Sequence, residues 1–212
     1  MAIGTDPQRP TLTSITALPP PADPAPLGLA AFALTTFLLS ASNAQWTHGT
    51  AAWLSFAFAY GGLVQLLAGM WEYRNGNVFG ATAFSTYGGF WLGLALYAQL
   101  VAPTAKTVTE VHNDEGWIVL AFLIFNTYML LWSGFVSKAV FAVFLTLEVT
   151  ELFLVIGNFS NSSGTIKVAG YLGVITAACA WYASSAGVIN GITARIFVPV
   201  GKPFVSPTRT AV

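Results

Sequence analysis

LGLAAFALTTFLLSASNAQWTHGTAAWLSFAFAYGGLVQLLAGMW, the stretch from Leu27 to Trp71, contains no Asp, Glu, Lys or Arg. A helix needs about 20 apolar residues to cross a hydrocarbon layer about 30 Å thick, and this stretch holds two such runs, parted by a polar patch around Asn43 to Thr50. Working outward, the later charges fall in short clusters that separate four further apolar runs. The pattern predicts an all-α polytopic membrane protein with six transmembrane helices, near residues 27–45, 51–70, 79–101, 116–135, 139–157 and 166–190. The runs are continuous and do not alternate at period two, which excludes a membrane β-barrel.

Composition agrees with a lipid solvent. The 212 residues are 55% hydrophobic and 8% charged, with a mean hydropathy of +0.68, whereas soluble domains carry about 25% charged residues. Eight basic residues balance eight acidic ones, so no electrostatic footprint for nucleic acid exists. The proline-rich stretch from Pro19 to Pro26 marks residues 1–26 as a flexible N-terminal tail. Residues 27–195 form the transmembrane domain and 196–212 a C-terminal tail.

Basic residues set the orientation. Arg9, Arg74, Lys138, Arg195, Lys202 and Arg209 fall on one side of the six spans, Lys106 and Lys167 on the other. Both termini are therefore expected in the cytoplasm of a cell-membrane protein, with the acidic loop carrying Glu110, Asp114 and Glu115 outside. Trp46, Trp53, Trp71, Trp117 and Trp132 lie near span ends, where the headgroup layer suits an amphipathic ring. Ala57, Gly61, Gly62 and Gly69 in the second span, and Ala183, Gly187 and Gly191 in the sixth, are small residues that let helices approach closely.

Chemistry-bearing clusters are sparse. His48 and His112 fall in expected outer loops and Cys179 in an apolar run, so neither a metal site nor a cofactor is indicated; no nucleophile–base pair supports an enzyme. Polar residues on helix faces are more informative: Gly28, Phe32, Thr35, Thr36, Leu39 and Asn43 share one face of the first span, and Gln65, Gly69 and Glu72 one face of the second. Sharpest are Glu148 and Glu151, three residues apart in the fifth span on a face with Phe144, Leu147 and Val155. An ionised group at that depth costs about 2.5–3.5 kcal/mol or more without a partner. The pair must be protonated, hydrated by a cavity, or hydrogen-bonded. Proton or pore carboxylates are one reading, a structural pair between helices the other.

Asp23-Pro24-Ala25-Pro26-Leu27-Gly28-Leu29 resembles the NPAPLGL signature of the acetate uptake transporter (succinate-acetate permease) family. The block GGLVQLLAGMWEYRNGNVFGATAFSTYGGFWL, Gly61 to Leu92, is similar to that family's longest characteristic stretch, and Ile156-Gly157-Asn158 to its fifth-span ending. The resemblance implies six-helix subunits in a hexamer, each with its own path for acetate and similar short carboxylates, succinate among them. It also implies a constriction of Phe32, Tyr87 and Leu147. Two positions depart from the pattern: Asp23 stands where the signature has Asn, and Glu148 follows the constriction leucine.

A carboxylate path needs donors for the carboxylate, apolar surface for the rest of the solute and a narrow point against leaks. Thr35, Thr36, Gln65, Thr82, Asn126 and Asn158 are the candidate donors. A passive channel is the first reading. Its alternatives are a proton-coupled symporter using Glu148 or Glu151, an ammonia exporter, and a non-transporting membrane sensor. The compact length points to a prokaryotic source. In a variant lacking Cys179, single cysteines from Thr11→Cys and Thr109→Cys are expected to react with an impermeant thiol reagent from opposite faces of the membrane; reaction of both from outside overturns the orientation.

Overall fold

The computed structural model describes residues 21–47 and 51–205. Six helical rods run back and forth: α1 (Ala25–Asn43), α2 (Ala52–Asn75), α3 (Val78–Leu96), α4 (Val108–Ser133), α5 (Lys138–Phe159) and α6 (Ser163–Thr193). The end carrying Ala25, Asn77 and the turn before Lys138 is called lower here, the opposite end upper. Five of the helices are long and apolar enough to cross a membrane; α3 falls short of that measure. It packs against protein along much of its length: Gly80, Ala81, Ala83, Phe84, Tyr87, Gly88, Trp91, Leu94 and Ala95 are all buried.

Local signals explain the boundaries. Side-chain oxygens of Asn77, Thr107, Ser137 and Ser162 accept from free amides at the starts of α3, α4, α5 and α6. Thr107 and Glu110 are spaced as a capping box, with Glu110 Oε2 accepting from the Lys106 amide at 2.8 Å. This places Glu110, Asp114 and Glu115 on the first turns of α4, not in the loop expected from the sequence. His112 is likewise helical and contacts Asn161 across the upper end at 2.9 Å, while His48 lies outside the described residues. Gly76, in the left-handed region at φ 74°, ends α2 before the cap of α3.

Helix α1 begins at Ala25, two residues before the expected span, and Asp23 Oδ1 accepts from the Ala25 amide at 2.9 Å. Residues 1–20 and 206–212 lie outside the described residues. At the other terminus Ala194 turns left-handed at φ 50°, and the following segment folds back over the lower end. Asn190 accepts from the amides of Phe197 and Val198 and donates to Val198 O. The Ala139 amide donates to Val200 O, and the Phe204 amide to Gly134 O, so this strap clips α6 to the start of α5.

Helix α1 lies centrally, packed on α6 and α2; α5 packs between α4 and α6, and α2 on α3. Helix α3 meets α4 mainly through rings, Tyr87 with Phe122 and Phe125, and Phe90 with Phe122. A seam between α3 and the α4–α5 pair results. Arg74, Lys138, Arg195 and Lys202 gather at the lower end and Lys106 and Lys167 at the upper, the division read from sequence; Arg9 and Arg209 lie outside the described residues. Trp46, Trp71, Trp117 and Trp132 are exposed. Trp53 departs from expectation: it is buried with Ala57, Trp91, Leu94 and Ala95, because the π-helical segment Ala57–Val64 brings α2 close to α3.

Close approach depends on glycine. A Cβ on Gly61 would stand 2.6 Å from Thr35 Oγ1, and one on Gly88 would stand 2.8 Å from the Leu66 amide nitrogen. Gly187 presses on Pro26, whereas Gly191 has nothing within 4 Å. The small-residue face of α6 is thus used for packing within the subunit over part of its length. Gly88→Ala is expected to destabilise the protein by about 1–3 kcal/mol through overpacking against backbone that cannot yield, measured as a lowered unfolding midpoint in detergent. Gly191→Ala is expected to leave the midpoint unchanged or raise it slightly.

Candidate transport path

Two cavities meet at a single ring of side chains. The lower chamber, with a cavity volume of about 70 Å³, is walled by residues that include Ala25, Leu29, Gln65, Asn77, Phe79 and Phe144. The upper chamber, about 50 Å³, is walled by Thr36, Ser40, Asn43, Trp91, Thr150 and Glu151 among others. Phe32, Tyr87 and Leu147 line both chambers, and no other described residue does. Above, a vestibule of about 220 Å³ shares Leu39, Asn43, Phe90, Val119 and Leu154 with the upper chamber and adds Glu115 and Asn158. The three spaces run in series along the seam beside α3.

Each neck residue is held from behind. Phe32 and Tyr87 meet edge to face, centroids 5.6 Å apart, a favoured aromatic arrangement. The Tyr87 hydroxyl donates to Asn126 Oδ1 at 3.0 Å. Asn126, fully buried, donates through Nδ2 to Phe144 O at 3.1 Å and to Glu148 Oε2 at 2.6 Å, and Thr127 Oγ1 contacts Glu148 Oε1 at 2.7 Å. Leu147 sits one residue before Glu148 on α5. Asn126, Glu148 and Thr127, which line neither chamber, therefore hold Tyr87 from outside the ring.

Among the donors singled out from sequence, the structure separates path from scaffold. Gln65 walls the lower chamber, Thr36 the upper chamber and Asn158 the vestibule. Each keeps a buried oxygen without a hydrogen-bond partner among the described residues. Thr35 is buried between α1 and α2 and donates back to Ala31 O at 3.0 Å; Thr82 lines none of the three spaces, and Asn126 acts behind the neck. The two carboxyls also part company. Glu148 lines no chamber, while Glu151, 5% exposed, walls the upper one beside Tyr87 and leaves Oε2 unpartnered.

Sequence reasoning missed Trp91, whose Nε1 is buried without a partner on the upper chamber wall. It passed over Ser40, and took Asn43 only as a member of a helix face. A tryptophan in an apolar run carries no signal that its N–H is unanswered. Glu72 is fully buried at the lower end of α2 near Asn77 and Asp23. Of the signature, Asp23 holds the Ala25 amide, Pro24 O accepts from the amides of Leu27 and Gly28, Pro26 O accepts from Ser184 Oγ at 2.7 Å, and Gly28 seats the Phe84 ring. The motif anchors the start of α1. Among the described residues no cluster could hold a metal ion.

A family model described as the GPR1/FUN34/yaaH family matches residues 10–202. The chain belongs to that family. It is 40% identical over 207 residues to Acetate permease A of Emericella nidulans, covering 90% of this chain and 69% of that protein. It is 35% identical over 183 residues to the Succinate-acetate/proton symporter SatP of Escherichia coli K12, covering 85% and 96%. The fold is that of a solved structure described as the bacterial acetate channel SatP, with a TM-score of 0.78, 33% identity, and coverage of 85% of this chain and 99% of the other. Fungal and bacterial relatives alike match, so compact length does not carry the prokaryotic origin expected from it.

Asn126→Leu is expected to destabilise the protein by about 1–3 kcal/mol for each buried group it strands, here the Tyr87 hydroxyl and Glu148, read as a lower unfolding midpoint. Thr82→Val, on a side chain away from the path, is expected to shift the midpoint far less.

Proposed function

We propose that this protein moves acetate and similar short carboxylates across the cell membrane, each subunit holding one path through the lower chamber, the neck and the upper chamber. The observation that carries the reading is the neck: the three residues that a family resemblance marks as a constriction are the three that line both chambers. Family membership and relatives described as acetate permease, symporter and channel support the cargo class. Unpartnered polar atoms on Gln65, Thr36 and Asn158 stand along the way, where a carboxylate can exchange them for its lost hydration. No Lys or Arg lines the chambers or the vestibule, which keeps binding weak enough for release.

Six spans, with α3 as the third, follow from the alternation of the helices; hexameric assembly and cytoplasmic termini complete the proposed arrangement. Passage is passive, since path and neck are built on one packed bundle. A proton-linked variant of the same passage is favoured by one observation, the unpartnered Glu151 carboxyl on the chamber wall. Ammonia export and a purely sensory role lack an equivalent feature: a carboxylate-sized chamber with several donors exceeds what ammonia needs.

Labelled acetate is expected to enter proteoliposomes faster than protein-free vesicles of the same lipid. Phe32→Ala and Leu147→Ala are each expected to extend the range to longer carboxylates such as hexanoate, because a dry apolar constriction selects by size. Uptake equal to that of protein-free vesicles overturns the function; enlarged variants that fold yet keep the original size limit overturn the neck.

A further inference from the structure

Helices α5 and α6 border a groove of about 630 Å³, within the roughly 300–1,000 Å³ of sites that take small organic ligands. Helix α5 lends Ala139 and Ala142 to its wall and α6 lends Ala178, side chains too short to fill the space. Between Val174 and Tyr182 the α6 wall runs about 12 Å, at a rise of about 1.5 Å per residue. Ile175, Ala178 and Tyr182 are exposed, so the groove opens to the surroundings of the subunit. None of its lining residues belongs to the chambers or the vestibule.

A cation marks the lower end of this groove. Lys138 opens α5, is exposed, and lines the groove together with strap residues Pro199 and Gly201. The strap is tied down there, since the Ala139 amide donates to Val200 O and the Tyr182 hydroxyl to Pro199 O. The lysine stem is confined in turn: a Cβ on Gly201 would stand 2.8 Å from Lys138 Cβ, and Lys138 Nζ lies 5.4 Å from the centre of the Phe204 ring. No carboxylate among the described residues pairs with Lys138. Its ammonium donors are left to a partner from outside the chain.

Charge says which partner. At this end Arg74, Lys138, Arg195 and Lys202 stand against two acids among the described residues: Glu72, fully buried, and Asp23, which holds the Ala25 amide. A second copy lying in the groove with the same orientation would bring the same excess of cations to the same level, so like charge opposes it. A bilayer offers the complement. Basic residues next to membrane spans attract anionic lipid headgroups, whose tails lie at the depth of the alanines. Those tails are as apolar in bulk lipid as in the groove, so seating one there gains little by itself. The groove supplies room, and the headgroup supplies the preference.

We propose that the groove between α5 and α6 binds one anionic phospholipid of the leaflet at the lower end, with its phosphate on Lys138 and an acyl chain running past Ala142 and Ala178 towards Val174. A zwitterionic headgroup carries its own ammonium beside its phosphate and gains less from the lysine. The site is separate from the path of the cargo. It nevertheless adjoins that path, because Lys138 sits between Val136 and Val140, which wall the lower chamber, and the bound lipid steadies the turn that carries them.

Cys179, the one cysteine of the chain, is half-buried on the groove wall and reports occupancy without any substitution. Full-length protein, depleted of lipid in detergent, is titrated with phosphatidylglycerol or with phosphatidylcholine of identical chains. Alkylation of Cys179 by an apolar maleimide is followed beside the unfolding midpoint. Phosphatidylglycerol is expected to slow alkylation and raise the midpoint at a concentration about fivefold below that of phosphatidylcholine, the advantage of one basic residue at an anionic headgroup. High salt is expected to narrow the gap. Lys138→Met keeps the stem without the charge and is expected to bring the two lipids to the same half-point, whereas Lys138→Arg preserves the difference. Arg74→Met, at the same end but off the groove, and Phe204→Leu, which removes the ring and spares the cation, are expected to keep it too. Equal protection by the two lipids in wild type overturns the proposal and needs no variant. An equal loss of preference in Lys138→Met and Arg74→Met also overturns it, since diffuse surface charge then does the work. Joining of two subunits through Cys179 by a bismaleimide in vesicles, with alkylation indifferent to lipid, assigns the groove to a second copy instead.

Discussion

No water is available in the hydrocarbon layer to answer a donor or an acceptor, so each polar side chain of these helices needs a protein partner or something that passes by. The structure holds both kinds of group. Thr35, Thr146 and Thr150 return their hydroxyls to carbonyls one turn earlier on their own helices. Asn126 gathers Tyr87, Phe144 and Glu148 into one network. Thr36, Gln65, Trp91, Glu151 and Asn158, all beside the chambers or vestibule, are left with an atom unanswered among the described residues, as are Thr47, Glu72 and Ser85, which line none of the three spaces.

The neck joins these two populations. Tyr87 lines both chambers and turns its hydroxyl to the scaffold, where the buried amide of Asn126 positions it. An aromatic ring tied at its far end cannot swing aside without breaking a hydrogen bond in a low-dielectric setting. Phe32 and Leu147, packed in the same cluster with Ala83, Phe125, Met129 and Phe144, gain their positions from close packing instead. Close helix contacts at Gly61 and Gly88 draw α2 onto α1 and α3, leaving the seam beside α3 as the place where rings, not backbones, meet.

Much of the architecture was legible in the residues. Six apolar runs, their order and the sidedness of the basic residues follow from a solvent that penalises charge, a rule that acts locally on each segment. Capping residues mark helix starts for the same local reason, although the two turns of α4 bearing Glu110, Asp114 and Glu115 show that a charged segment can be helical outside the apolar run. Asp23 to Gly28 anchors α1, and the small residues mark close approach.

Which of two carboxyls three residues apart meets the lumen was not legible. Glu148 and Glu151 lie near each other on one helix face, and a face spans an arc wide enough to touch both a neighbouring helix and a cavity. The position of Asn126 and Thr127 on α4 decides it, by holding Glu148 and leaving Glu151 to the chamber. Trp53 and Trp91 make the same point, since an indole near a span end reads as interfacial or as core filler until the π-helical segment of α2 is known. Sequence alone determined the solvent, the order of the helices and the residue types available to a path. Only the tertiary structure decided which polar atoms are answered within the protein, because a hydrogen-bond partner on another helix is set by how the helices cross and not by spacing along any one of them.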